Sequence, residues 1–207
     1  MIRIIAVAAL TLLLVFVLYL PAANPPERFL NQIHSEHKLN TATWSEARAV
    51  LILERTLSMN QALSAASPVP TSAQAPGTDR MAEAVAQEMA RVNQRFFGNT
   101  YFRSIDAQLL LATYRLSALI EWLPLQAFVI IATVIDGFVV RILRAKQFKP
   151  HDPEWFALHA SAFVLMACAS IVAFVTPITI APALLAMLPV SGAFFLSRVV
   201  ANFHRHG

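Results

Sequence analysis

In the stretch TVIDGFVVRILRAKQFKPHDPEW, residues 133–155, one carboxylate, Asp136, sits inside an apolar run and four cations follow it, Arg141, Arg144, Lys146 and Lys149. A carboxylate in hydrocarbon is costly, and it is kept where it meets a partner or serves an ion or proton path. Two kinds of chemistry are therefore open to Asp136: charge pairing that fixes helices together, or ion coupling. Asp136 lies four residues before Val140, and His159 lies four after Trp155. At about 1.5 Å per helical residue, both side chains sit about 6 Å inside the same edge of an antiparallel hairpin. Arg198 enters the next apolar run from that side. Asp136 is thus expected to meet His159 or Arg198, or the amides and water near that edge, in an intramembrane polar clasp of Asp136, His159 and Arg198, with Gly137 allowing close helix approach. Transporters carry more buried carboxylates and repeated, broken helices. A small transporter or ion-coupled protein using Asp136 is the alternative reading.

Other reactive groupings are sparse. His34-Ser35-Glu36-His37 places two histidines three apart beside a carboxylate. A zinc site needs three or four ligands, and no third follows at suitable spacing. The zincin pattern sets its histidines four apart. The expected role is a solvated polar helix face, and no metal or cofactor is expected. The tail His204-Arg205-His206 reads as a charged, membrane-flanking end. Gly-x-Ser-x-Gly, Ser-x-x-Lys and phosphate-cradling glycine loops are missing from a chain with five glycines. The protein is expected not to be an enzyme. Cys168, the one cysteine, excludes an intrachain disulfide and reads as a small packing residue.

The elements that must position these residues are membrane spans. Of the 207 residues, 57% are hydrophobic and 14% charged, and the mean hydropathy is +0.57. A soluble domain carries roughly a quarter charged residues. Four apolar runs qualify as spans: Ile4 to Leu20, Trp122 to Val140, Trp155 to Val175, and the shorter Ala183 to Ser197, which needs Val199 and Val200 to reach full length. A hydrocarbon core of about 30 Å asks for about 20 helical residues. With both termini cytoplasmic, the short inner pieces hold Arg3, Arg141, Arg144, Lys146, Lys149, Arg198 and Arg205, while the outer turn TPITIAP holds no cation. Cations gather on the cytoplasmic side of short loops. The +4 net charge is therefore mostly a topology signal with affinity for anionic lipid, and direct DNA binding is not expected. The exit YLPAANPPER argues for an uncleaved first segment, because Pro21 would sit where a signal-peptide cleavage site needs a small residue.

The expected fold class is an all-α integral membrane protein, with four transmembrane helices and a helical periplasmic domain between the first and second. Its parts are an anchor over residues 1–21, a periplasmic domain over 22–121 and a three-helix membrane domain over 122–207. The membrane domain includes a basic cytoplasmic loop over 141–154. Within the periplasmic domain, Thr43 and Glu46 read as a capping box opening a helix. SPVPTSAQAPGT, residues 67–78, reads as a linker. Asp79 caps a further helix ending at Gly98, and helical pattern resumes from Tyr101 until Pro124 bends it. An antiparallel helical hairpin across the linker is the simplest arrangement. Its few large apolar residues suit packing against a partner or a second copy of the chain.

From Trp122 to Phe203 the sequence resembles a family of bacterial inner-membrane proteins encoded by integrating conjugative elements and conjugative plasmids. The matching positions are Ile135, Asp136 and Gly137 at the end of a span, then Arg141 and Arg144, then His159. The closing VTPITIAPALLAMLPV completes the likeness. Ala160, beside His159, departs from a pattern in which a second histidine often neighbours the first. The resemblance implies an accessory inner-membrane component of conjugative DNA transfer, a type IV secretion process. Its partner would be the coupling ATPase, the type IV coupling protein, or other conjugation-channel proteins. The basic residues Arg141, Arg144, Lys146 and Lys149 would face such a partner or anionic lipid.

Overall fold

The computed structural model describes residues 2–66, 100–147 and 153–203, and these contain helices and no strand. Six helices follow in order: α1 (Ile2–Ala23), α2 (Pro26–Thr43), α3 (Glu46–Ala66), α4 (Thr100–Lys146), α5 (Pro153–Val175) and α6 (Pro182–Asn202). The linker 67–78, the helix expected after Asp79, Lys149 and the histidine tail lie outside the described residues. So does half of the expected hairpin across that linker. Four helices, α1, α4, α5 and α6, are long and apolar enough to cross a membrane, and they bury little of their surface in one another. That pattern is the reverse of a soluble core and is compatible with a multi-pass membrane protein.

Helix starts follow local chemistry. Pro26 and Pro182 occupy the first turns of α2 and α6 after extended residues, where a missing N–H costs nothing. The pre-set φ of Pro182, followed by a full apolar run, makes the fourth span a complete 21-residue helix. The expected capping box does not form. Thr43 ends α2, its hydroxyl donating to the Leu39 carbonyl at 2.9 Å, and α3 begins only at Glu46. Threonine satisfies its hydroxyl equally well by bonding back to the preceding turn.

α4 runs unbroken through Pro124. Its first part, residues 100–121, carries the buried polar residues, and its second part is the apolar span. The helix also continues past Val140, so Arg141, Arg144 and Lys146 stand on its last turns rather than in a loop. No Gly or Pro follows Gly137 before Pro150, and cations favour the negative end of a helix dipole.

The membrane helices pack mainly as α4 on α6, α6 on α5, and α5 on α1. α4 and α6 run parallel at a nearly constant offset in sequence. Gln126 Nε2 donates to the Ala186 carbonyl at 2.8 Å, Gly137 lies against Ser197, and Arg144 bonds the Asn202 side chain. A Cβ on Gly137 would stand 2.6 Å from the Ser197 carbonyl oxygen. Only glycine fits there, as expected for close helix approach in a membrane. The end of α4, the start of α5 and the end of α6 share one end of the bundle, where Phe156 meets Phe203 at 6.1 Å. The opposite end holds α2, α3, the polar half of α4 and the turn 176–181.

Candidate functional site

The polar end is organised by charged and amide side chains where a soluble helical domain would use leucine. On α2 the buried positions are Pro26, Phe29, Gln32, Glu36 and Asn40. A step of three or four residues keeps one helix face, so α2 presents Gln32, Glu36 and Asn40 inward. The polar half of α4 answers with buried Ser104, Gln108, Tyr114, Arg115 and Ser117. Apolar contacts fill the remainder: Phe29 with Ala107 and Leu111, and Ile52 with Tyr114, Ala118 and Leu185.

Arg115 is the centre of this arrangement, with 1% of its surface exposed. Its Nε donates to the two Glu36 carboxylate oxygens at 3.1 and 3.0 Å. Its Nη2 donates to Glu36 Oε1 at 2.5 Å and to the Ile178 carbonyl at 2.6 Å. Its Nη1 reaches the carbonyls of Ala173 at 2.6 Å, Thr176 at 2.7 Å and Phe174 at 3.3 Å. A guanidinium has five N–H donors, and acceptors stand ready for all of them. Three of those acceptors lie at the C-terminus of α5, whose last carbonyls lack partners within the helix. A cation there also opposes the negative end of the helix dipole.

Glu36 is held from several sides as well. It accepts from Gln32 Nε2 at 2.9 Å and from the Ile180 backbone N–H at 3.3 Å. Thr179 donates to Gln32 Oε1 at 3.4 Å. The ion pair therefore joins α2 and α4 to the turn 176–181 at Thr176, Ile178 and Ile180, and so ties the polar end to the helix bundle. Two charges taken out of water stay favourable only when each has its full set of hydrogen bonds, and this pair has them.

Further ties surround the pair. Asn40 Nδ2 donates to the Tyr114 hydroxyl at 3.0 Å, which lies 3.4 Å from His37 Nδ1. Burial pushes the Tyr114 hydroxyl above its ordinary value, the Asn40 bond offsets part of that, and Glu36 adds to the rise. Ser117 donates to the Ile52 carbonyl at 2.9 Å, and Arg55 pairs with Glu121 at 3.4 Å across the α3–α4 contact. Trp44, in the turn between α2 and α3, meets Trp122 edge-on at 4.6 Å. Beside the ion pair an open groove of about 600 Å³ runs between α2 and the turn, lined by Arg28, Asn31, Gln32, Ser35, Pro177 and Thr179 among others.

The motif His34-Ser35-Glu36-His37 was expected to be a solvated face, and the structure corrects this for Glu36, which is 4% exposed. His34 is exposed and His37 half-buried. Among the described residues, no three of His, Cys, Asp and Glu gather around a point where a metal ion could sit. Arg115 was missed altogether. Its signal was present: a lone arginine in QLLLATYRLSALI, where every neighbour is apolar or small and uncharged except Gln108 and Tyr114.

The expected clasp residues are placed apart in their contacts. His159 Nδ1 bonds the Trp155 carbonyl at 2.7 Å, and Arg198 lies over the Phe194 ring at 5.3 Å. Asp136 is exposed on α4 and pairs with neither; the ion pairs among the described residues are Arg55–Glu121 and Arg115–Glu36. The reason is geometric: the face of α4 turned to α6 is that of Gly137, one residue and about 100° away. Of the basic residues, Arg141 lies over Phe203 at 5.2 Å, Arg144 bonds Asn202, and Lys146 is exposed at the helix end.

The fold and this site define a helical chain with four helices long and apolar enough to cross a membrane, whose polar end is joined to its bundle by the buried Arg115–Glu36 pair. Residues 30–204 match the family model described as IncC plasmid conjugative DNA transfer protein DtrJ-like, and the chain belongs to that DtrJ-like family. Comparison with curated proteins and with solved structures finds no match.

Proposed function

We propose that the protein is an accessory component of conjugative DNA transfer in a bacterial inner membrane. In this reading it is an assembly partner of the coupling ATPase or of neighbouring channel proteins, and it carries out no reaction itself. Family membership over residues 30–204 carries the reading. The site supports it physically. A buried ion pair with four carbonyl and two amide partners fixes one shape rather than moving charge, which is what a docking platform requires. The polar end would face the periplasm, following the cations Arg141, Arg144 and Lys146 at the other end. Those cations would then meet a cytoplasmic partner or anionic lipid.

Deletion of the coding sequence from its native element, followed by mating, tests the role. Transfer should fall to background and return with the wild-type chain supplied in trans. Unchanged transfer frequency would contradict it.

A further inference from the structure

We infer that the α4 face carrying Asp136 is a docking surface for a transmembrane helix of another protein, one that presents a basic residue at the depth of Asp136. Leu125, Val129, Ala132, Asp136, Val139 and Leu143 step by four and three residues in turn, and all six are exposed. At 3.6 residues per turn they fall within about 80° of one another, a continuous seam along the apolar half of α4. A seam repeating every 3.5 residues is the pattern on which one helix packs along another. The small Ala132 lies one turn from the polar Asp136, and small and polar residues are what hold helices together in lipid.

The charge decides what covers the seam. α6 lies on the Gly137 side of α4, and the seam through Asp136 is left exposed. Asp136 lies five residues before Arg141, about 7.5 Å deeper than the first cation. The helix's own arginines do not neutralise it, because Arg141 is turned to Phe203 and Arg144 to Asn202, both on the α6 side. An ionisable group in the membrane interior faces a partner as a rule, and none of the described residues hydrogen-bonds or ion-pairs with this one. A second copy would not serve. A two-fold axis along the seam would bring Asp136 against Asp136, a like-charge contact. The occupant is therefore a different chain whose apolar helix carries Arg, Lys or His. This surface goes beyond the proposed role and holds whichever protein supplies the helix.

The test is site-specific photo-crosslinking of the full-length chain in its native host's membranes. A benzophenone side chain is placed at Ala132 or Val139, and at Ile131 or Ile142 on the other flank as controls. The adducts are mapped by mass spectrometry to the residue. The expected result is an adduct from Ala132 and Val139 but not from the controls. It should map to an apolar helix of another protein that contains a basic residue, and be lost in Asp136→Leu. Adducts with a second copy, adducts with a segment lacking a basic residue, persistence in Asp136→Leu, or no adduct would each overturn the proposal. If Asp136→Leu does not accumulate, the wild-type map alone decides.

Discussion

Replacing Arg115 with methionine keeps a long, flexible apolar stem and removes the charge and all five donors. Glu36, whose side chain is 5% exposed, would be left with Gln32 and the Ile180 N–H as partners. The carbonyls of Ala173, Thr176 and Ile178 would lose their donor as well. Breaking a buried pair from one side costs about 3–5 kcal/mol. For a chain of this size each kcal/mol lowers the melting temperature by about 2–4 °C, so Arg115→Met should melt about 6–20 °C lower. Thermal unfolding of the purified protein in mild detergent would show this, with labelling of Cys168, the chain's one cysteine, reporting the loss of packing. The double variant Arg115→Met with Glu36→Met removes both charges and should be more stable than Arg115→Met alone, because no unpaired charge remains. A loss below about 1 kcal/mol for Arg115→Met, against the range expected for buried pairs, would refute the reasoning. So would strictly additive losses in the double variant.

Other consequences follow from the same contacts. Gly137→Ala should cost about 1–3 kcal/mol by forcing α4 from α6, whereas Gly192→Ala, with nothing within 4 Å of an added Cβ, should not destabilise; paired melts compare them. Tyr114, held above its ordinary value by burial, keeps its proton where an unfolded tyrosine, near pH 10, has lost it. The folded state then binds more protons, so stability should fall as pH rises beyond about 10, and Tyr114→Phe should flatten that part of the stability–pH curve. Arg144→Ala removes an exposed bond to Asn202 and should change the melting temperature little, since exposed contacts contribute about 0–1 kcal/mol.

The membrane helices were legible because hydropathy acts through composition over a whole segment. Residues 4–20, 122–140 and 155–175 all fall inside helices of the structure. Their ends were less so. The apolar run of the second span stops at Val140, yet arginine and lysine are good helix formers and carry α4 to Lys146. The buried ion pair was not legible as a pair. Glu36 and Arg115 are 79 residues apart, and nothing in the residues around either one names the other. What could have been read was each partner's setting: Gln32, Glu36 and Asn40 at four-residue steps, and one arginine in an apolar helical stretch. Asp136 was found by its cost in lipid, but one sequence does not say which neighbour faces it. The face of Gly137, not that of Asp136, turned out to meet α6.

In the proposed function, this chain works by being bound within the conjugation machinery. The most direct measurement is gentle solubilisation of the tagged, full-length protein from its native host, with quantitative mass spectrometry of what accompanies it, beside the Arg115→Met variant. The coupling ATPase or secretion-channel proteins should accompany the wild type in fixed proportion, and the variant should retain less of them. Recovery of the intact, folded protein alone would contradict it.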